Sequence, residues 1–291
     1  MRYATASAFR TALEERLRRE HLASGTALAR LRKIVAFDRL LARLSAAGNR
    51  KLVLKGGFAL QVMFPNRART TKDIDLHTTE TAEQATAFLT EAAALDLGDF
   101  FSFVISPPTP GVTGLRFPVE SRVDGRVFEA FHVDLGVEGP MIGGQPPGRT
   151  VTSLLAFADI APVDFPCYPV CRHLAEKVHA LTRPHGDRGG SRSKDLVDVV
   201  LLAETTAVEA TELRASIETT FISCATHPIP ERLRSAPRAW ATEYRRTARE
   251  LGLKAATLEE GEGVASALMD PILHGRTTGR WSPAELAWLR S

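Results

Sequence analysis

Two aspartates lie two residues apart in a short segment that is typical of a strand. Asp73 and Asp75 flank Ile74 within residues 72–76. Because side chains alternate along a strand, both carboxylates point to one face and Ile74 points to the other. Adjacent carboxylates repel each other unless a cation lies between them, and Mg²⁺ suits such a place because it prefers oxygen ligands and keeps positions open for phosphates. The alternative is a strand end exposed to solvent, because this spacing alone is common.

A glycine pair upstream marks a second position at which chemistry is expected. Lys55, Gly56 and Gly57 follow a predicted strand and precede a predicted helix. Glycines at a helix N-terminus let backbone N–H groups bind the phosphates of an NTP. The alternative is an ordinary turn between a strand and a helix. The spacing matches neither the P-loop nor the dinucleotide-binding glycine motif, which excludes both of those nucleotide sites.

A third carboxylate lies further along the chain. Asp134 is flanked by Val133 and Leu135, and an acid is unusual in such a strand. Beside Asp73 and Asp75 it would complete a two-metal site, in which one ion activates an attacking hydroxyl and the other holds a triphosphate. Asp134 would also accept the proton of that hydroxyl. The alternative is a partly exposed strand acid.

Hydrophobic spacing predicts the elements that must position these residues. Alternation and helical periodicity predict a small α/β core, and the Asp124-Gly125 dipeptide indicates a tight hairpin. A capping box at Ser282–Glu285 predicts a last helix. The predicted helices are 7–21, 27–47, 58–63 and 80–95, and the predicted strands are 51–54, 72–76, 115–123 and 126–135. From residue 151 onward the pattern is mainly helical.

These elements divide the chain into three segments. We expect a basic helical segment at 1–47, an α/β core at 48–150 and a helical C-terminal lobe at 151–291. Pro/Gly-rich stretches mark the second boundary.

Composition restricts the class of protein. The 291 residues are 44% hydrophobic and 24% charged, which indicates a globular chain and excludes disordered, collagen-like and coiled-coil classes. No apolar run reaches the roughly 18 residues of a membrane span, so no membrane partner is expected. Three cysteines without a CxxC pair argue against a disulfide framework and a zinc knuckle. A reducing, cytoplasmic location is the simplest interpretation.

Positive charge is concentrated at the N-terminus. Residues 1–51 carry twelve Lys and Arg against four acids, although the whole chain carries only +3. On the second predicted helix, Arg32, Arg39 and Arg43 fall on a stripe outside the apolar face. These three arginines are our candidates for binding RNA. The alternative is a solvated helical face.

The glycine and aspartate motifs together resemble those of a known family. KGGFAL (55–60) followed by RTTKDIDL (69–76) is similar to the AbiEii/AbiGii nucleotidyltransferase toxins, which include the MenT-like toxins and have a polymerase-beta-type nucleotidyltransferase fold with a mixed sheet. EKVHAL (176–181), KDLVDVVLL (194–202) and HPIPERLRSAPRAW (227–240) also resemble family stretches. Phe58 departs from the small or hydroxyl residue of many members, so phosphate contacts there would rest on the glycine backbone.

The resemblance implies an activity and two partners. It implies a Mg²⁺-dependent enzyme that adds NMP from an NTP to the 3′ end of tRNA, releases pyrophosphate and thereby blocks translation. A cognate antitoxin protein would be the second partner. The alternatives are a small-molecule nucleotidyltransferase of the aminoglycoside-modifying type and a non-catalytic NTP-binding protein.

The resemblance also implies roles for further residues. Lys177 would neutralise the triphosphate, and Asp198 would orient Lys177 or the nucleotide. Arg69 precedes the aspartate strand and is a candidate phosphate ligand, or else an ordinary loop arginine. Thr71 is a candidate for regulatory phosphorylation, because a phosphate beside the aspartates would repel an NTP or capture its Mg²⁺; otherwise it is a β-branched residue at a strand start. The Gly- and Arg-rich segment 183–194 would close over a substrate or is a surface loop.

Overall fold

The chain forms two compact units. The computed structural model describes residues 2–48, 51–65, 67–111, 114–137, 146, 148–184, 192–275 and 277–290. The first unit comprises Met1–Met63 and Thr70–Cys167, and the second comprises Phe64–Arg69 and Tyr168–Ser291. The first unit therefore contains the segment predicted at 1–47 and most of the segment predicted at 48–150, and it extends to residue 167, whereas residues 64–69 belong to the second unit.

The first unit is an α/β fold, and its main elements follow the predicted pattern. Its helices are α1 (Ala6–Ser24), α2 (Leu28–Ala46), α3 (Gly56–Met63) and α4 (Ala82–Ala93). Its strands are β1 (Val53–Lys55), β2 (Ile74–Thr78), β3 (Phe101–Ile105), β4 (Thr109–Pro110), β5 (Gly114–Val123), β6 (Arg126–Val137), β7 (Gly148–Thr150) and β8 (Asp164–Pro166). The predicted α/β class with a mixed sheet is confirmed.

A mixed sheet organises this unit. The strand order is β1-β2-β6-β5-β3, with β4 paired to β5, and a separate antiparallel pair joins β7 to β8. The β2–β6 pair is parallel and the other pairs of the main sheet are antiparallel. Asp124 and Gly125 both have positive φ, which matches the tight hairpin turn that the sequence predicts between β5 and β6.

Helix α2 contributes the apolar side of the core and also a buried charge cluster. Its Phe37 ring contacts those of Phe58 and Phe131, with ring centroids 4.7 and 4.8 Å apart. Arg43 is fully buried and donates to both carboxylate oxygens of Asp99, at 3.0 and 2.7 Å. Arg39 is 4% exposed and donates to the Asp38 carboxylate at 2.8 Å. Burial raises the pKa of Asp38 to about 6, although Arg39 acts in the opposite direction.

The predicted RNA-binding stripe on α2 is therefore wrong. Arg39 and Arg43 are buried in ion pairs and present no charge to solvent. Arg32 is partly exposed, but it donates to Glu14 and to the carbonyl oxygen of Phe128, and its guanidinium lies 4.4 Å from the Phe128 ring centroid. A helical wheel shows which side of a helix a residue lies on, whereas burial depends on what packs against that side.

The second unit is mainly helical, as predicted. Its helices are α5 (Val170–Thr182), α6 (Ser193–Thr205), α7 (Ala210–Cys224), α8 (Ala241–Leu251) and α9 (Leu258–Leu273), and its strands are β9 (Arg280–Ser282) and β10 (Ala287–Leu289). Within the described parts of the chain, no helix is both long enough and apolar enough to span a membrane.

The helix predicted after Ser282 is absent, and the described segment there is a hairpin. The Ser282 hydroxyl does accept a bond from the Glu285 amide at 3.3 Å, as a helix cap would. Leu286 then adopts a positive φ of 50°, and β10 turns back onto β9. The indole of Trp281 donates to the Ala203 carbonyl and that of Trp288 to the Leu268 carbonyl, so these long-range bonds favour the hairpin over the local helix signal.

The buried charge cluster of α2 leads to a stability prediction. Replacing Arg43 by Met leaves Asp99 buried without its bidentate partner, so the free energy of unfolding should fall by about 3–5 kcal/mol. Urea denaturation of the purified protein measures this change. The exposed Arg18 of α1 is the control, and Arg18→Met should change stability by at most about 0.5 kcal/mol. A loss below about 1 kcal/mol for Arg43→Met would show that the cluster contributes little.

Candidate active site

The strand β2 presents the two sequence-predicted aspartates at one face of the sheet. Asp75 lies within β2, and Asp73 lies immediately before it. Both are partly exposed, whereas Ile74 and Leu76 between and after them are completely buried in the core. The alternation expected from the sequence therefore holds in the structure.

Parallel pairing of β2 with β6 brings the third carboxylate to the same place. Asp75 and Asp134 are register partners on these neighbouring strands. The guanidinium of Arg116, on β5, donates to both oxygens of Asp134 at 2.7 and 2.6 Å. The same guanidinium lies 3.9 Å from Asp73 Oδ2. One arginine thus bridges two of the three predicted carboxylates.

The glycine turn lies directly against this cluster. Gly56 has a positive φ of 66°, and a Cβ atom there would lie 1.9 Å from Asp75 Oδ2. Glycine is therefore required both by the backbone conformation and by the close approach of the carboxylate. Gly57 is buried in the first turn of α3, and Lys55 is the register partner of Asp75 on β1. Phe58 packs into the core against Phe37, which explains why a large apolar residue is accepted after the glycines.

The chemistry of the cluster suits a divalent cation. Among the described residues, no three or more His, Cys, Asp and Glu side chains already stand in a metal-binding arrangement. However, all three aspartates interact electrostatically with Arg116 and raise its pKa, with the hydrogen bond to Asp134 as the largest cause. The donors are carboxylate oxygens, which Mg²⁺ prefers, and they already surround a positive group. Asp73, Asp75 and Asp134 therefore fit a divalent ion.

A second ionic cluster lies within the helical unit. Lys177 Nζ lies 2.8 Å from Asp195 Oδ1 and 2.9 Å from Asp198 Oδ2. Arg69 donates to both oxygens of Asp198 at 3.1 Å. Burial lowers the pKa of Lys177, but Asp198 and Asp195 outweigh it and hold that pKa above its ordinary value. Burial raises the pKa of Asp198, but Lys177 and Arg69 outweigh it and the pKa is lowered.

This cluster places three of the residues named from the sequence in direct contact. Asp198 holds both Lys177 and Arg69, so it is well situated to orient either cation. Arg69 is thereby part of a buried network and is more than a simple loop arginine. Residues 185–191 of the Gly- and Arg-rich segment lie outside the described residues.

Thr71 lies close to the aspartate strand and is largely buried. Its side chain is 9% exposed, and its hydroxyl donates to the Asp73 carbonyl oxygen at 3.2 Å. Phosphorylation at Thr71 therefore requires that this hydroxyl first leave Asp73. Its regulatory role stays a prediction.

Two residues of the aspartate cluster were missed at the sequence level. Arg116 stands opposite Asp134 on β5, and His132 Nδ1 lies 3.3 Å from Asp73 Oδ1. His132 carried a usable signal, because it lies two residues before Asp134 on one strand and therefore shares its face. The signal for Arg116 was weaker, because its position opposite Asp134 depends on the register of the β5–β6 hairpin.

Removing the resident cation should strengthen the binding of a divalent ion. A unit charge about 4 Å away, screened by solvent, is worth about 1 kcal/mol, so Arg116→Gln should raise Mn²⁺ affinity roughly fivefold. Isothermal titration of the NTP-free protein measures this affinity. Arg122→Gln removes the same charge from the same strand and should leave the affinity unchanged. Unchanged or weaker binding by Arg116→Gln would contradict the assignment of the ion to this cluster.

The Asp198 network should give a distinct pH dependence of stability. Because the folded pKa of Asp198 is lowered, its stabilising effect is complete above the unfolded pKa of about 4 and is lost as pH falls further. Asp198→Asn should therefore be about 3–5 kcal/mol less stable than wild type at neutral pH. That difference should narrow below about pH 4. Urea denaturation at several pH values measures it, with the exposed Glu250→Gln as control; a difference independent of pH would contradict the network.

Comparison with known proteins identifies a family and a similar fold. The sequence model of the AbiEii nucleotidyl transferase toxin, of a type IV toxin–antitoxin system, matches residues 39–268. Among solved structures, the chain is similar to MenT4, a nucleotidyltransferase toxin from Mycobacterium tuberculosis, with a TM-score of 0.60 and 17% identity over 94% of this chain and 99% of MenT4. JHP933 from Helicobacter pylori aligns with a TM-score of 0.43 and 11% identity over 84% of this chain and 93% of that protein. No curated protein sequence matches significantly.

The likeness to MenT4 shows the fold, and the family match shows the class of enzyme. The matched residues span most of the 291 and include both the aspartate cluster and the Lys177 cluster. The chain therefore belongs to the AbiEii nucleotidyltransferase toxin family and is a nucleotidyltransferase.

Proposed function

We propose that this toxin transfers NMP from an NTP to the 3′ end of tRNA in the cytoplasm, with Mg²⁺ as cofactor, and thereby blocks translation. The observation that carries the proposal is the set of three aspartates, at β2 and β6, that interact with the guanidinium of Arg116. Membership of a toxin–antitoxin family implies a cognate antitoxin as the protein partner.

The described residues supply the binding functions that this reaction needs. Asp73, Asp75 and Asp134 would hold Mg²⁺, which when bound neutralises the charge of the triphosphate. Gly56 and Gly57 are the first two residues of helix α3, and their backbone amides suit a phosphate group. The ammonium groups of Lys55 and Lys177 also suit a phosphate group.

The reaction itself is a phosphoryl transfer with balanced bonds. The oxygen of an RNA 3′-hydroxyl bonds to the α-phosphorus, the bond from that phosphorus to the bridging oxygen breaks, and pyrophosphate leaves. The hydroxyl proton passes to Asp134 as general base. Asp134 is held by both nitrogens of Arg116, so that ion pair must open before Asp134 can accept the proton.

The acceptor is assigned to RNA because the family acts as a toxin and because translation needs intact tRNA 3′ ends. A small-molecule acceptor is the competing assignment. The two differ in where the labelled nucleotide appears, so one assay separates them.

The proposal predicts that an isosteric change in the cluster abolishes transfer. Asp75→Asn keeps the shape of the side chain but removes its charge, so nucleotide transfer should fall by at least about 100-fold. Each α-labelled NTP is incubated with Mg²⁺, total RNA and protein, and the products are separated on a denaturing gel. Asp96→Asn changes an exposed aspartate of the same unit and should retain activity.

The outcomes of this assay are distinct. Label at the 3′ end of tRNA with wild type, and its loss with Asp75→Asn, supports the proposal. Label in small molecules alone would instead favour the small-molecule assignment. Full RNA labelling by Asp75→Asn would remove Asp75 from the catalytic set.

A further inference from the structure

Unpaired positive charge is concentrated in the helical unit. Seven of the exposed arginines there have no acidic group within ion-pair distance among the residues that the structure describes. They are Arg183, Arg232, Arg234, Arg238, Arg245, Arg249 and Arg290. Arg32, Arg39 and Arg43 on α2, by contrast, are engaged in ion pairs. The helical unit therefore offers a positively charged surface in addition to the exposed arginines of α1.

Three of these arginines are spaced along one helical face. Arg238 begins a 3-10 turn that leads directly into α8, where Arg245 and Arg249 follow. Spacings of seven and four residues keep them near one face, roughly 10 and 6 Å apart. The opposite face of α8 is buried through Tyr244, Thr247, Ala248 and Leu251. A row of cations on the exposed face of a helix whose other face is buried is suited to an extended chain of phosphates.

The segment 232–237, before α8, is bonded to α9 and carries two more exposed arginines. The Leu233 amide donates to Asp270 Oδ1 at 2.9 Å, and the Ala236 amide donates to the Glu262 carboxylate. These bonds anchor the segment to α9 through its backbone, so the two acids are engaged by amides. Arg232 and Arg234, on either side of Leu233, remain exposed.

A cavity lies beside this row, and both Arg234 and the acidic Glu262 line it. Its volume is about 350 Å³, and Trp240, Pro237, Leu233, Arg234 and Ser266 are among the residues that line it. Sites of this size, apolar with a few polar groups, accept compact organic ligands. Single-stranded RNA is bound in this manner, because unstacked bases pack on aromatic rings while arginines contact the phosphates.

The electrostatic environment of His227 indicates that Arg234 and Arg183 lie near each other. Burial lowers the pKa of His227, and the nearby charges of Arg234 and Arg183 lower it further. These two arginines therefore act on the same small region, although they are about fifty residues apart in the sequence.

We propose that the row Arg232, Arg234, Arg238, Arg245 and Arg249, here called the arginine track, binds the single-stranded 3′ end of the acceptor RNA, with one base against Trp240. This inference rests on the proposed function and adds the surface that holds its acceptor. RNA is favoured over an acidic protein because the track combines repeated unpaired cations with an aromatic-lined cavity.

The test compares two triple variants of equal charge. R238Q/R245Q/R249Q removes three charges from the arginine track, and R16Q/R18Q/R19Q removes three from the exposed face of α1. Fluorescence anisotropy without NTP measures affinity for an RNA hairpin with a single-stranded 3′ overhang at several salt concentrations. The track variant should bind at least roughly tenfold more weakly, and the slope of log affinity against log salt should fall by about 2. The α1 variant should bind like wild type.

A second pair of variants tests the base contact. Trp240→Ala should weaken binding of the overhang hairpin roughly tenfold and leave a blunt hairpin unaffected, because only the overhang has unstacked bases. Trp240→Phe keeps an aromatic ring and should retain most of the affinity. Equal losses for the blunt and overhang hairpins would overturn the base contact.

The outcomes separate this inference from the proposed function. If wild type labels RNA but the track variant binds as tightly as wild type, the arginine track is wrong and the proposed function stands. If the track variant loses RNA binding but wild type labels no RNA with any NTP, the track stands and the proposed function fails. Equal losses in both triple variants, or RNA binding by neither wild type nor variants, would each overturn the track.

Discussion

The structure of the first unit depends on how three like charges are held side by side. The parallel pairing of β2 with β6 places Asp75 opposite Asp134, and Asp73 lies two residues before Asp75. Carboxylates this close repel each other unless a cation compensates them. In this chain Arg116 provides that compensation from the neighbouring strand, and Gly56 leaves the space that Asp75 occupies. We propose that a metal ion and a triphosphate take the place of this guanidinium when the substrate binds.

Buried ion pairs stabilise each of the two units. Arg43 on α2 is bound by Asp99 just before β3, which ties the helix to the edge strand of the sheet. In the helical unit Asp198 binds Lys177 and Arg69 together. In both units the charges are costly to bury, so each is satisfied by more than one partner. The positive groups that remain exposed and unpaired are then the ones available to a polyanion.

Local patterns predicted β1, β2, β5 and β6, the hairpin turn and the shared face of the two aspartates, because alternation and turn chemistry are encoded by adjacent residues. The strands β3, β4 and β7–β10 were not predicted. Arg116 was missed for a specific reason. Pairing from the Asp124-Gly125 turn would set Arg116 opposite Val133, but a register shift between Ser121 and Arg122 moves it opposite Asp134. Burial of the α2 arginines depends on Asp99, which is 56 residues from Arg43, and the C-terminal hairpin depends on distant tryptophan contacts. Neither contact can be inferred from residues that are neighbours in the sequence.

The central claim is that the aspartate cluster is the place where a divalent ion and the NTP bind. The most direct measurement is anomalous diffraction from crystals grown with Mn²⁺ and a non-hydrolysable NTP analogue. The account predicts an anomalous peak about 2.0–2.4 Å from carboxylate oxygens of Asp73 and Asp75, with the triphosphate beside Gly56 and the Arg116–Asp134 ion pair opened. A peak elsewhere, or a bound nucleotide with that ion pair intact and no ion at the aspartates, would contradict it.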